Sequence, residues 1–573
     1  MKTMSWDAIV IGAGHNGLIA ANYLADAGLK TLVLERREVV GGATVTEELI
    51  PGYRMSSCSY VSGLLHPVIL KDLQLSNFGL ELYQTDMGTS SILEDGRHLH
   101  LYRELAKALK EIERVSPGAS DGFLQFGLRL ERFAQLTREI ILSSEPPSMS
   151  TVMQIFEESG EARLFDEFFN LSIRDLLDRY VSSDILSGLM TFLGVVSVYG
   201  GPSTPGWAFV YGHHAIGEVN GQMGAFAFAR GGMGSIAEAL AARARSKGVE
   251  ILTNSSVASV IIERGEARGV VLADGTELRA NIVASNADPV TTYRHLTDPK
   301  ALPDDFVKAI STFDTRGSMA RVFLAVDKLP QFIGSSTGEG PEHRGLTLLG
   351  AETSAFERAA DAQRDGVLPT RFPIEFIIQT VHDPAMGPAG KHLISTGIQQ
   401  LPYELAGGTW DDYRDEFTAS VVKRLDDFSP GLSSTVEATY TITPLDLERE
   451  YGMAGGNIFH GALSAGQLFG SRPVPGVGSY RSPIRGLYLC GSGAHPGGGV
   501  IGAPGRNAAH AIIADRAAGG WTPQRSSSTS LRVGGAPLAH RVMQHPQLGK
   551  LGSWAARQEA LAPVVRLLTK RRG

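Results

Sequence analysis

The chain is poor in cysteine. Its 573 residues include two, Cys58 and Cys490, and neither stands in a Cys-x-x-Cys pair. That argues against a disulfide framework, a zinc site and dithiol redox chemistry, and no metal is expected. A basic excess is also missing: 53 Lys and Arg face 60 Asp and Glu, a formal net charge of −7, so the body offers nucleic acid no counter-charge. Long apolar runs are lacking too. Residues 185–217 carry no formal charge, but the helical part, Ile185 to Tyr199, is too short for a membrane span and is stopped by Gly200-Gly201-Pro202. This stretch reads as a buried core helix or as an apolar wall facing a hydrophobic substrate. His213-His214 at its end has no carboxylate or cysteine company and reads as structural. The first strand begins near Trp6 with no signal peptide ahead of it, which leads to the expectation of a cytoplasmic protein.

What is present begins at once. Trp6 to Val10 is a short apolar run, Gly12-Ala13-Gly14-His15-Asn16-Gly17 follows, and Leu18 to Ala27 reads as a helix stopped by Gly28. A second run, Leu32-Val33-Leu34, closes on Glu35. Strand, glycine turn, helix, strand and terminal acid form the dinucleotide fingerprint. Gly12 turns the chain, Gly14 admits a pyrophosphate and Gly17 lets helix pack on strand, while the helix N-terminus offers N–H groups to phosphate. Glu35 is placed to accept hydrogen bonds from a ribose, although Arg36 and Arg37 leave room for a 2′-phosphate. A second glycine pair, Gly41-Gly42, precedes Ala43-Thr44. An NAD fold has no need of glycines there, whereas an extended FAD does; a plain turn is the other reading.

Nucleotide-domain character returns at Arg230. A helix is expected over Ser235 to Ser246, then strands over Glu250 to Leu252, Val257 to Ile262 and Gly269 to Leu272, with Asp274-Gly275 turning a hairpin. Between these parts, 103–180 reads as helical. Residues 290–450 mix helix with strand, with Arg321 to Val326 and Ile374 to Val381 as strands and Ala419 to Phe428 as a helix. Gly452 to His460 packs glycines, an amide, an aromatic and an imidazole into one loop. Strand Leu487 to Cys490 then runs into the glycine-dense stretch Gly491 to Gly505, ahead of a helix starting near Arg506. Bare backbone at a helix N-terminus suits an electron-rich edge such as the N1–C2=O side of a reduced flavin.

Four motifs in order, G-A-G-H-N-G-L-I-A-A at 12–21, V-V-G-G-A-T-V-T-E-E at 39–48, G-G-N-I-F-H at 455–460 and G-L-Y-L-C-G-S-G-A-H-P-G-G-G-V at 486–500, resemble the phytoene desaturase-related flavoproteins. Within them the nearest branch is the one called pyridine nucleotide-disulfide oxidoreductase domain-containing protein 2. The resemblance covers residues 5–518. It implies an α/β, Rossmann-type FAD-binding domain of the amine oxidase and phytoene desaturase kind with an inserted α+β substrate domain. The expected boundaries are 1–75, 215–290 and 480–519 for a discontinuous FAD domain, 76–214 and 291–479 for the substrate domain, and 520–573 for a basic tail. FAD contacts are expected from Gly12, Gly14, Gly17, Glu35, Arg36, Gly41, Gly42, Ala43, Thr44, Val257, Gly491, Ser492 and Gly502. Ala43-Thr44 stands where a disulfide reductase would carry its cysteines, so disulfide reduction is excluded despite the branch's name.

The implied chemistry is hydride removal from a small apolar substrate, as desaturation or isomerisation, with electrons passing to oxygen, a quinone or another acceptor. His495, in the rear glycine loop, is the first candidate for a proton-transfer residue and His460 the second. A flavin amine oxidase and an FAD-stabilised regulatory or interaction protein are the alternatives. The tail, with nine Lys or Arg against the one acid Glu559, could rest on an anionic membrane or remain solvated.

Overall fold

Two seven-stranded sheets organise the chain in a computed structural model that describes residues 5–475 and 477–520. The basic tail lies outside the described residues. Ile9, Val10, Leu32 and Val33 are fully buried, the signature of strands covered on both faces, as in a parallel sheet flanked by helices. The first sheet runs Glu250–Leu252, Thr31–Leu34, Ser5–Ile11, Glu277–Ser285, all parallel. The last of these has two kinds of neighbour. Its start pairs antiparallel with Glu266–Leu272, which turns back to Val257–Glu263, and its end pairs parallel with Leu487–Leu489. One sheet thus draws strands from three widely separated stretches.

Helices cover this sheet. His15–Asp26 packs against both Gly234–Ser246 and Ala503–Ala517. A buried polar clamp fixes the first pair: Asn22 donates to the Leu240 carbonyl at 3.0 Å, and Arg243 donates to Asn22 Oδ1 at 2.9 Å and to Asp26 at 2.7 Å. Each member of the clamp finds a partner in the others, which is the condition under which such groups are tolerated inside.

The second sheet has the order Val436–Ile442, Ser318–Val326, His392–Leu401, Ile374–Ile377, Leu346–Leu349, Met87–Ile92, His98–Tyr102. The strand at 87–92 carries no clear sequence signal, because M-G-T-S-S-I lacks alternation, whereas H-L-H-L-Y at 98–102 does alternate. Helix Trp410–Phe428 starts nine residues before the apolar run that signals it, on a Thr409 cap that also binds Asp412. The 291–479 segment is not uniform either. Tyr293, Leu296, Leu302, Phe306 and Ile310 join the core of the first sheet, so that unit extends past the expected boundary at 290.

The uncharged 185–217 stretch forms two helices, Asp184–Val195 and Ala208–Ala215. Both sink into a helical core with Phe133, Phe156, Phe168 and Phe169, and a Cβ on Gly188 would sit 1.8 Å from the Ala351 carbonyl oxygen. The apolar-wall expectation is therefore corrected: the uncharged run is there to be packed. His213 and His214 hydrogen-bond the carbonyls of Gly498 at 2.9 Å and Val210 at 2.8 Å. No helix among the described residues is long and apolar enough to cross a membrane.

Candidate active site

Strand Ser5–Ile11 stops where Gly12 takes φ +91° and its N–H bonds the Leu34 carbonyl at 2.7 Å. Glu35 folds back on this turn. One carboxylate oxygen accepts from the Ala13 N–H at 2.8 Å and the other from the Arg37 N–H at 3.0 Å, and each keeps a second lone pair. Gly41 donates its N–H to the Ala13 carbonyl at 2.9 Å, and a Cβ on Gly42 would lie 3.3 Å from Gly14 Cα. The second glycine pair is thus laid directly on the first. Gly17 has the helix-packing role: its Cβ would fall 2.1 Å from the Gly12 carbonyl oxygen. Gly17→Ala is expected to destabilise by about 1–3 kcal/mol through overpacking, read as a lower urea midpoint; an unchanged midpoint would show that the turn can yield.

The rear glycine loop closes onto this front turn. Cys490 donates its N–H to the Ser285 carbonyl at 2.8 Å, and a Cβ on Gly491 would meet the Asn286 carbonyl oxygen at 2.5 Å. Asn16 Nδ2 donates to Ser492 Oγ at 3.0 Å, and Gly505 sits so close that a Cβ would be 2.1 Å from the Asn16 carbonyl oxygen.

Between the two loops lies a cavity of about 810 Å³. Glu35, Arg36, Ser256 and Val257 line it beside the end of the second strand, and Gly12, Gly14, Gly42 and Ala43 line the turn. His15, Asn16, His460 and Ser492 line it where the rear loop arrives. Four lining residues carry buried polar atoms without a protein partner: His15 Nε2, Asn16 Oδ1, Arg37 Nη1 and His460 Nδ1. Each such atom costs about 1–3 kcal/mol if nothing meets it, so the cavity is built for a polar occupant.

His460 sits in that wall with φ +55°, a left-handed conformation a histidine adopts only when its surroundings impose it. What imposes it is Arg472. Fully buried, its guanidinium donates to the carbonyls of Phe459 (2.9 Å), His460 (3.3 Å), Gly461 (3.2 Å), Ala462 (3.1 Å), Gln467 (3.4 Å) and Ser492 (2.9 Å). One side chain thereby ties the His460 loop to the rear glycine loop. Burial pulls the pKa of Arg472 down to about 9, which leaves it charged at neutral pH. Burial, with His460 nearby, lowers His15 to about 3, and burial lowers His460 as well, opposed by Asp288. Both imidazoles are neutral at pH 7, each able to accept a proton or donate one N–H.

Residues 17–406 match the family model for flavin containing amine oxidoreductases. The chain belongs to that family. It is 38% identical over 544 residues to pyridine nucleotide-disulfide oxidoreductase domain-containing protein 2 of Mus musculus, covering 89% of this chain and 94% of the relative. It is 26% identical to a limonene dehydrogenase polypeptide of Castellaniella defragrans, covering 93% of this chain and 99% of that one. In fold it is similar to cyclohexylamine oxidase from Brevibacterium oxydans, with a TM-score of 0.56 at 17% identity over 89% of this chain and 99% of that one. The resemblance to the phytoene desaturase-related branch therefore holds. The protein is a flavin-dependent oxidoreductase of the amine oxidoreductase family, and the lining residues fit a flavin nucleotide: unpartnered buried polar atoms along the wall and bare glycine backbone at the turn.

Several site expectations need correction. His495 lies outside the cavity: its Nε2 bonds the Ile140 carbonyl at 3.0 Å and its ring packs on Phe469, so it fastens the rear loop to a helix of the helical layer. His460, the second candidate, does line the cavity, as does His15. Gly502 caps helix Ala503–Ala517 against Ile19, Leu65 and Ile69, and Gly491, Gly41, Gly17 and Thr44 act by packing on neighbouring backbone without lining the cavity. Arg36 lines it but spends Nη2 on the carbonyls of Arg449 and Glu450, and Arg37 is paired with Glu47. His15 and Asn16 stand inside the fingerprint, whose spacing marks only the glycines around them. Arg472 leaves no signal in sequence, since its partners are backbone carbonyls 5 to 20 residues away that no side-chain pattern marks.

Proposed function

We propose that the protein is an FAD-dependent oxidoreductase that removes a hydride from an apolar, unsaturated substrate, by dehydrogenation or by reversible transfer that isomerises it. The observation that carries the FAD reading is the continuous cavity running from the Glu35 carboxylate to the junction of His15, His460 and Ser492. That span has an acid for a ribose at one end and neutral polar groups at the other. The apolar-substrate reading is supported by the neutrality of both imidazoles and by the likeness to a protein named for limonene dehydrogenation.

When bound, the flavin supplies hydride acceptance and the chain supplies position, dryness and proton control. Glu35 would hold the ribose through the lone pairs left after its two backbone bonds. The turn at Gly12 and Gly14 and the N-terminus of helix His15–Asp26 would receive the pyrophosphate. Ser492 and Asn16, fixed to each other, would meet the polar chain between phosphate and ring. His460, held by Arg472, lines the cavity, has an Nδ1 without a protein partner, and is the group best placed to take or return a proton.

Anaerobic mixing tests the proposal. A cyclic monoterpene or a polyene should bleach the yellow flavin, while primary amines should not; bleaching by amines alone would move the assignment to an amine oxidase. No bleaching by any candidate would favour an FAD-stabilised interaction protein. His460→Asn should retain flavin yet slow the bleaching by about a hundredfold or more, and an unchanged rate would remove His460 from the chemistry.

A further inference from the structure

We propose that His98, His100 and Glu342 form a zinc site that clips the 327–345 connection to the edge of the second sheet. His98 and His100 are two residues apart on edge strand His98–Tyr102 and so project from one face. Glu342 sits in the short turn Pro341–His343, within the connection between strands Ser318–Val326 and Leu346–Leu349. One ligand atom from each of the three lies within 4.8 Å of the others. Around a tetrahedral zinc with bonds of ~2.0–2.1 Å the ligand atoms stand about 3.4 Å apart, so side-chain movement on the order of 1 Å closes the set. Two imidazoles and a carboxylate with a water in the fourth position make a ligand set that zinc accepts.

Two further observations point to a cation. The first is orientation. His98 donates through Nε2 to the Ile333 carbonyl at 2.6 Å, and His100 Nδ1 lies 3.0 Å from Ser90 Oγ. Each ring is held by one nitrogen, which leaves the other for a metal, the usual outer arrangement of a ligating histidine. The second is charge. Glu342 is 2% exposed, and its oxygen Oε1 accepts from Ser335 Oγ at 2.6 Å. Among the described residues its one ion-pair neighbour is His343, at 3.9 Å. Both nitrogens of that histidine are engaged elsewhere, Nδ1 accepting the Gly340 N–H at 2.8 Å and Nε2 donating to the Pro330 carbonyl at 2.9 Å. Arg114, on the neighbouring helix, is paired with Glu111. A buried carboxyl group without a cationic side chain beside it leaves room for a metal ion to act as its partner.

None of the three residues lines the large cavity, so the site is independent of the flavin chemistry. The full-length protein, freed of metal with a chelator and dialysed against zinc chloride, should take up one zinc per chain and melt at a higher temperature as free zinc rises. Glu342→Gln, which keeps the shape and removes the charge, and His100→Ala should each weaken uptake at least tenfold while keeping the parent circular dichroism spectrum. Absence of zinc uptake by the parent would overturn the proposal, as would uptake by both variants equal to the parent's.

Discussion

Arg472→Met should unfold more easily than the parent by a few kcal/mol and purify with a much reduced flavin content. Two effects oppose each other in that substitution. Methionine relieves the burial that holds the arginine's pKa down at about 9, a gain that favours the variant. Against it, six carbonyl oxygens lose a donor and five of them, all but Ala462, which still accepts from Gln467 Nε2, are left with none, at about 1–3 kcal/mol each where nothing replaces it. The second effect prevails because the carbonyls belong to a tight loop that cannot turn to water without releasing His460 from φ +55°. Lysine should rescue only in part, since a compact ammonium with three donors cannot span both loops. Urea unfolding and the flavin-to-protein absorbance ratio measure the two consequences. A methionine variant with the parent midpoint and full flavin content would show that the loop holds itself.

The second large effect is in acid. Burial lowers His15 and His213 to about 3 and His495 to about 4, well under their ordinary value of 6.5. The unfolded chain therefore binds more protons than the folded one between pH 6.5 and about 4. Stability is full above 6.5 and falls as pH drops through that window. Each histidine contributes about 1.4 kcal/mol per pH unit, so the three together cost about 4 kcal/mol per unit. Against a typical total of about 5–15 kcal/mol, unfolding is expected near pH 5, before most carboxylates titrate. His66, His100 and His382, lowered to about 4 by burial, act in the same direction; circular dichroism across pH 4–8 follows the transition, and His213→Gln should flatten its slope. Equal stability at pH 5 and pH 7 would contradict the burial of these rings.

Much of the front turn was legible in sequence because its contacts are local. Gly12, Gly17 and Glu35 act on neighbours within about one βαβ unit, and the spacing of glycine and acid encodes that geometry. The hairpin at Asp274-Gly275 was legible for the same reason. The apolar stretch 185–217 was ambiguous, since a core helix and a substrate wall have the same composition, and only the packing of Gly188 on Ala351 decided between them. The histidines were harder. His495 and His460 both stand in glycine-rich loops, and sequence has no means of telling a ring that bonds the Ile140 carbonyl from one that lines a cavity.

By itself the amino-acid sequence determined the class of ligand and the fold that holds it, since a strand, three spaced glycines, a helix and an acid can be satisfied by few other arrangements. It also determined that no cysteine chemistry takes place here. The tertiary structure decided which of the two candidate histidines lines the cavity, that Arg472 joins two loops, and that His98, His100 and Glu342 meet. Those facts depend on contacts between residues up to several hundred positions apart, and such contacts leave no periodicity or spacing along the chain from which they could be read.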